Sequence, residues 1–341
     1  VLVVQTAFLG DVVLATSLFK GLRQLFPKVE VASLTLPETE PVVKDWVDRS
    51  FLIDKRTATD ADWQRLANEI KSARFDLVLT PHRSYRTGLL LKRCGIPIRI
   101  GFNRGGGAFF MTHRVQYDRF AYEGARNTML LQVLAPDSAF DPLPELPSDT
   151  AALDSARRTL VRLGLTEGDF VVLAPASVWT TKAWPTESYR ELAQGLRDTY
   201  GIRSVIIGGP GDRDCGDAVA LEPSLNLTGR LTPLEAAEVI RKSRLLVSGD
   251  SAPAHLATAV GACQVVIYGS TTQRYGFFPP TERARALGID LWCRPCTDHG
   301  RKRCPQWGHL HCLRRITPQD VIETTAHWLM SPHQVDFGKQ P

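Results

Sequence analysis

The chain has 341 residues, 43% of them apolar and 23% charged, with a formal net charge of +5. That length exceeds one ordinary hydrophobic core, so two domains are expected. No run approaches the eighteen apolar residues of a spanning helix, which excludes a helical integral membrane protein. The small positive surplus suits a partner carrying phosphates or carboxylates and makes no case for nucleic acid.

No leader peptide is expected in the stretch that opens at Val1, which reads as a strand over residues 1–4. QTAFLGDVVLATSLFKGLRQLFP follows, over residues 5–27. Leu14, Leu18, Leu22 and Leu25 recur there at helical spacing, and Asp11 stands where strand gives way to helix. An Asp at that place is a preferred N-cap, so capping is the first reading of Asp11. Further apolar, β-branched runs at 29–34 and 77–79 are strands. Residues 81–106, PHRSYRTGLLLKRCGIPIRIGFNRGG, surround an apolar stretch with basic residues. Arg83, Arg86 and Arg104 are candidates for an acidic ligand, and a solvated basic face is the competing reading of each.

APDSAFDPLPELPSDT, residues 135–150, carries four prolines and few helix formers, and reads as a linker. It separates a domain over 1–145 from one over 151–330 that opens with an amphipathic helix at 151–163. Strands are expected at 171–173, 204–207, 245–247 and 265–268. The βαβα rhythm of both halves argues for an α/β protein with parallel sheets.

Three turns in the second half emerge from carboxyl ends of these strands, where α/β sheets collect ligands. LAPASVWTTKAWP (173–185) supplies Ser177 and Lys182, with Trp184 beside the lysine. VIIGGPGDRD (205–214) supplies Gly209 and Asp212; it lacks a third glycine opening a helix, so a nicotinamide enzyme is poorly supported. LLVSGDSAPAHLATAVG (245–261) is a strand, a polar turn and a helix. Its Asp250, Ser251, Ala252 and His255 surround a helix N-terminus that could hold an anion, or the turn is closed by a Ser or Asp cap. These eight residues are the candidate donor-binding set.

Cys293, Cys296, Cys304 and Cys312 form C-x2-C-x7-C-x7-C with His299, His309 and His311 interspersed. The first pair has zinc-ligand spacing and the remaining intervals do not, so no metal is expected and a structural zinc is the alternative. The odd total of seven cysteines argues for thiols rather than a disulfide frame.

LGDVVLATS, SVWTTKAWP, IIGGPGD and above all GDSAPAHLATAVGACQVVIYGSTTQRYGFFP resemble the lipopolysaccharide heptosyltransferases, glycosyltransferase family nine, most closely the heptosyltransferase II branch. The resemblance implies a GT-B fold: two Rossmann-like domains with parallel sheets facing a central cleft. The carboxyl-terminal domain would hold ADP-heptose and the amino-terminal one the lipopolysaccharide inner-core acceptor, with the C-terminal segment allowed to pack back on the first domain. By that resemblance Asp11 would take the role of catalytic base in an inverting transfer, Lys182 and the Ser251 helix end would stabilise the leaving diphosphate, and no cofactor would be required. Arg83, Arg86 and Arg104 would meet the acceptor's acidic groups, and Phe8, Trp179 and Tyr275 lie either along the cleft or in the core. The expected location is cytoplasmic, peripheral at the inner membrane. Gly249 and Gly269-Ser270-Thr271 depart from the family's Asn and Gly-Pro-Thr. The rival readings are a related GT-B enzyme with another nucleotide sugar, and a non-catalytic zinc-stabilised binding protein.

Overall fold

The computed structural model describes residues 1–330, which form two compact units; the first runs Val1–Pro147 and the second begins at Ser148. In the first unit, β1 (Leu2–Val4), β2 (Ala32–Thr35), β3 (Arg49–Leu52), β4 (Leu77–Thr80), β5 (Ile98–Phe102) and β6 (His113–Val115) make one sheet in the order 3-2-1-4-5-6. Every pairing is parallel, with Val3 of β1 opposite Ser33 of β2 and Leu79 of β4. The three central strands β1, β2 and β4 are buried throughout, as parallel strands covered on both faces must be.

In the second unit, β7 (Phe170–Ala174), β8 (Arg203–Ile206), β9 (Leu246–Gly249), β10 (Gln264–Ile267) and β11 (Ala284–Leu287) form a second parallel sheet in the order 11-10-9-7-8. Its core gathers Val171, Leu173, Trp184, Tyr189, Leu192, Ile206, Val247 and Ile267. The two sheets are the parallel α/β layers expected from the sequence. Strands β3, β5, β6 and β11 were not expected, because Arg49, Arg99, His113, Arg114 and Arg285 interrupt their apolar runs. β3, β6 and β11 are sheet edges whose outer residues are exposed or half-exposed.

The helix Leu9–Leu25 begins one turn earlier than a cap at Asp11 would allow. Phe8 occupies the N-cap without a side-chain bond, and Asp11 stands within the first turn, its N–H donating to the Phe8 carbonyl at 3.0 Å. Asp11 is therefore not the N-cap. A carboxylate in a first turn still faces the positive end of the helix dipole.

The proline-rich stretch is not a loose tether. Lys20 Nζ reaches Asp141 Oδ2 at 2.7 Å and the Leu143 carbonyl at 3.1 Å, and the Glu145 N–H donates to Thr16 Oγ1 at 2.9 Å. Leu146 is buried. Prolines keep this segment extended against the helix Leu9–Leu25, so it belongs to the first unit up to its last residues. Asp149 then caps the helix Thr150–Arg162, accepting from the Ala152 N–H at 2.8 Å.

The helix Pro318–Met330 packs on the helix Thr186–Tyr200 of the second unit, and Arg244 Nη1 donates to the Leu329 carbonyl at 2.7 Å. The remainder of the C-terminal segment, residues 331–341, lies outside the described residues. Among the described residues no helix is long and apolar enough to cross a membrane.

Trp184, beside Lys182 in sequence, points the other way. Its ring is fully buried, meets Tyr189 edge-on at 4.8 Å and donates Nε1–H to the Ile316 carbonyl at 3.0 Å. Replacing it by Ala leaves both a large cavity and an unpaired carbonyl, and should cost about 3–5 kcal/mol. Urea unfolding followed by circular dichroism checks this; a loss below about 1 kcal/mol would show that the site collapses around the smaller side chain.

Candidate functional site

Each sheet has one place where adjacent strands send their connections to opposite faces, and ligands of open α/β sheets collect outside the carboxyl ends of the strands there. In the second unit that place lies between β7 and β9. The turn after β7 carries Lys182 on a short 3-10 turn, Thr180–Lys182, and the residue after β9 is Asp250. Their side chains meet: Lys182 Nζ lies 2.8 Å from Asp250 Oδ2, and the same oxygen accepts from Thr271 Oγ1 at 2.9 Å. Both charged side chains are largely withdrawn from water, at 13% and 8% exposure. Breaking such a pair leaves an uncompensated buried charge, so the carboxylate fixes where the lysine stands.

The close fit depends on Gly249 and Gly269. A Cβ at Gly249 would lie 2.8 Å from the Lys182 carbonyl oxygen, and one at Gly269 would lie 2.5 Å from that of Thr181. The two glycines therefore let the lysine turn press onto the ends of β9 and β10. Ser270 fastens it there, its N–H donating to the Thr181 carbonyl at 3.0 Å.

The helix Ala252–Ala259 starts beside this pair. Ser251 is its N-cap residue but makes no capping bond; its hydroxyl donates to the Gly249 carbonyl at 3.4 Å. The Ser or Asp cap anticipated as an alternative is thus absent here, since Asp250 is engaged by Lys182 and Thr271. First-turn N–H groups left by side chains are what makes a helix end an anion site. His255 is buried in the same helix, 6.1 Å from the Phe277 ring. Burial lowers its pKa to about 4, with the Asp250 charge opposing and the Lys182 charge assisting. The imidazole is accordingly neutral near pH 7.

Ser177 and Trp179 lie on the same turn as Lys182, the Trp179 N–H donating to Ser177 Oγ at 3.3 Å. Trp179 is half-buried against Gly300. Gly209 and Asp212 follow β8, the strand beside β7 and at the sheet's edge. Asp212 Oδ2 accepts the Gly209 N–H at 2.7 Å, so this carboxylate closes its own turn. Neither residue is joined to the Lys182–Asp250 pair by a described bond. Tyr275 is half-buried on the 3-10 turn Gln273–Tyr275.

In the first unit the corresponding place lies between β1 and β4. Asp11 follows β1, and the segment after β4 brings His82, whose Nδ1 lies 3.2 Å from Thr6 Oγ1 and 2.9 Å from Thr87 Oγ1. Burial lowers the His82 pKa to about 4, helped by the positive charges of Lys55 and Arg83. Lys55, after β3, has its own pKa lowered by burial, and Asp11 is the largest favourable charge acting on it. Asp11, Lys55, His82 and Arg83 are thus one electrostatic group at this rim. Sequence reading missed Lys55 because the strand before it was not recognised. It missed His82 although PHRS directly follows an expected strand.

The three candidate arginines divide. Arg83 and Arg104 share the Tyr117 ring, at 4.2 and 5.5 Å, with buried Arg126 on it at 4.9 Å. Arg86 instead stands over Trp63 at 5.4 Å, on the helix Tyr85–Arg93. Phe8, expected in a cleft or in the core, is 70% exposed and is not core.

Cys293, Cys296, Cys304 and Cys312 line one small cavity with Thr181, Ser270 and Arg294. All seven cysteines are free thiols, and among the described residues no three His, Cys, Asp or Glu side chains are placed to hold one metal ion. Burial pushes the Cys312 thiol up to about 11. The segment does have a mechanical link to the lysine turn: the Thr181 N–H donates to the Arg301 carbonyl at 3.2 Å, and the Arg301 N–H donates to Thr181 Oγ1 at 2.8 Å.

Residues 63–305 match the model of glycosyltransferase family 9 (heptosyltransferase). A lipopolysaccharide heptosyltransferase 1 of Pseudomonas aeruginosa is 24% identical, over 97% of this chain and 98% of its own. A family 9 glycosyl transferase structure from Veillonella parvula superposes with a TM-score of 0.82 at 22% identity, covering 96% of both chains. The structure of E. coli ADP-heptose lps heptosyltransferase II gives 0.77 at 21% identity, over 96% of this chain and 98% of that one. At these identities the structural likeness concerns the fold, which is the expected GT-B class of α/β proteins.

The two buried imidazoles set a pH dependence. Their folded pKa values, about 4, lie below the unfolded value of about 6.5. Between those limits the unfolded chain binds protons that the folded chain refuses. Their contribution to stability is therefore complete above about pH 6.5 and is lost as pH falls through about 4. Histidine NMR resonances assigned with His82→Gln and His255→Gln variants should show midpoints near 4. Midpoints near 6.5 for both would mean that neither ring is desolvated.

Proposed function

The chain belongs to glycosyltransferase family 9, the heptosyltransferases, and is a glycosyltransferase; from that membership we propose that it moves heptose from ADP-heptose to the inner core of lipopolysaccharide with inversion. The observation that carries the donor half of this reading is the Lys182–Asp250 pair, 2.8 Å apart beside the start of the helix Ala252–Ala259. A nucleoside diphosphate leaving group gathers negative charge as the glycosidic bond breaks. A fixed ammonium and helix-end N–H groups oppose that charge most when it is largest, which lowers the barrier rather than merely binding the substrate. Neutral His255 can hydrogen-bond an oxygen of the diphosphate without a protonation step. Ser177, Gly209 and Asp212 complete the proposed donor surface.

On the acceptor side Asp11 is the proposed general base. Its carboxylate takes the proton of the attacking sugar hydroxyl as that oxygen forms its bond to the anomeric carbon, while the electron pair of the old bond leaves with ADP. A single base without a carboxylate nucleophile gives one displacement and hence inversion. Asp11 is the largest favourable charge acting on the buried ammonium of Lys55, so the two are electrostatically coupled at this rim. Arg83, Arg86 and Arg104 would receive the phosphates and carboxylates of the inner core, and the enzyme would work at the cytoplasmic face of the inner membrane.

Asp11→Asn should lower turnover by about 10² to 10⁴ with ADP affinity nearly unchanged, because proton removal belongs to the transition state. Steady-state kinetics and calorimetry with ADP check both halves; near-normal turnover in the folded variant would reduce Asp11 to a first-turn helix charge.

Lys182→Ala should weaken ADP binding by about tenfold or more and lower turnover more steeply. Unchanged affinity and rate would show that the lysine turn does not reach the phosphates. The same assay run with ADP-, UDP- and GDP-sugars identifies the nucleotide, and transfer from a UDP-sugar alone would replace the ADP-heptose reading.

A further inference from the structure

We propose that the turn Gly106–Phe110 of the first unit, with Tyr85 and the arginines beside it, is a docking surface for an anionic lipid bilayer. Phe109 is 75% exposed and Tyr85 61% exposed. They are not scattered: both rings pack edge-on against the buried Phe110, at 5.3 and 5.0 Å between centroids. An isolated exposed ring needs no explanation, whereas two on a common buried neighbour make a local apolar surface.

The turn that presents them is built to hold that shape. The Gly107 N–H donates to the Arg83 carbonyl at 3.0 Å, and a Cβ at Gly106 would meet Tyr85 Cβ at 3.0 Å. The backbone of the turn therefore lies directly on the segment carrying Arg83 and Tyr85, and Phe109 projects from it.

Charge identifies the occupant. From Pro81 to Phe120 the chain has eight Arg and Lys and one acid, Asp118, a surplus larger than the +5 of the whole protein. Arg86 follows Tyr85 and Arg104 precedes the glycines, and both are exposed. Arg99 Nε donates to the Phe110 carbonyl at 2.7 Å, which brings a further cation under the turn. Aromatic rings projecting among cations that have few local counter-charges match the interface of an anionic bilayer, where rings enter the headgroup layer and guanidiniums meet lipid phosphates. The inference rests on the reading above, in which the acceptor is a glycolipid whose lipid part stays in a membrane.

The test is sedimentation of the full chain with vesicles of phosphatidylglycerol and phosphatidylcholine, without donor or acceptor, alongside transfer to a delipidated acceptor. The parent should bind phosphatidylglycerol vesicles well above pure phosphatidylcholine, and binding should weaken as salt rises. Phe109→Ser should lower that binding about tenfold, Phe109→Trp should retain it, and both should transfer to the delipidated acceptor like the parent. Equal vesicle binding by the parent and Phe109→Ser, or no preference for the anionic lipid, would overturn the surface. Saturation by a soluble protein with no response to vesicles would overturn it in favour of a protein partner. Vesicle binding that follows this pattern in a protein without transferase activity would support the surface and remove the functional reading instead.

Discussion

Parallel pairing governs everything else in this molecule. A parallel strand cannot turn back into its neighbour; the chain must cross over a face of the sheet and start again at the same end. All strand-to-helix turns therefore open at one rim of each sheet, whatever their sequences. Where successive crossovers change faces, two such turns spread apart and leave room for a ligand. The order 3-2-1-4-5-6 puts that opening between β1 and β4, and the order 11-10-9-7-8 puts it between β7 and β9. Asp11 and His82 follow the first pair of strands, Lys182 and Asp250 the second.

Within each rim the charges are set in partly dehydrated surroundings, where an unmatched one would be costly. Lys182 answers this with a direct pair to Asp250 and a shared hydroxyl from Thr271. Lys55 answers it less completely: burial lowers its pKa, and Asp11 is its largest compensation. His82 and His255 follow the remaining course and give up charge altogether. Asp250 already offsets part of the lysine charge that a diphosphate would meet. In the proposed reaction its value would lie in holding Lys182 at one point, since an ammonium free to swing would have to be ordered again at each turnover.

What sequence could reveal follows from where burial is complete. β1, β4, β7 and β9 lie inside their sheets and read as uninterrupted apolar runs, and the turns behind them, including SVWTTKAWP and GDSAPAH, were found with them. β3 and β11 border water on one side, so arginines are tolerated and the pattern dissolves; Lys55 was lost along with β3. Asp11 was placed beside a strand end with capping as one of its two readings, and that one fails because the helix begins at Leu9 on backbone bonds alone. Trp184 shows the reverse limit. Adjacency to Lys182 in sequence says nothing about direction, and the ring enters the core while the lysine faces the rim. The prolines of 135–150 marked the end of the first unit, yet their packing on the helix Leu9–Leu25 depends on Lys20 and Thr16, more than a hundred residues away.

The same distance effect explains the cysteine-rich segment and the two glycines at the strand ends. Gly249 and Gly269 remove the side chains that would hold the Thr180–Lys182 turn away from β9 and β10, and the turn moves into that space. Once there it needs partners for its polar groups, and the chain supplies them from far along: Ser270 from the end of β10, and Arg301 from between Cys296 and Cys304. Cys296 in turn donates its N–H to the Ser270 carbonyl at 3.0 Å. The thiols around the adjoining cavity are buried enough that the neutral form is favoured at Cys296 and Cys312. Neutral thiols pack like small apolar groups. The segment thus works as a wedge behind the lysine turn, and the position of Lys182 is set as much by residues 293–312 as by the motif in which it is written.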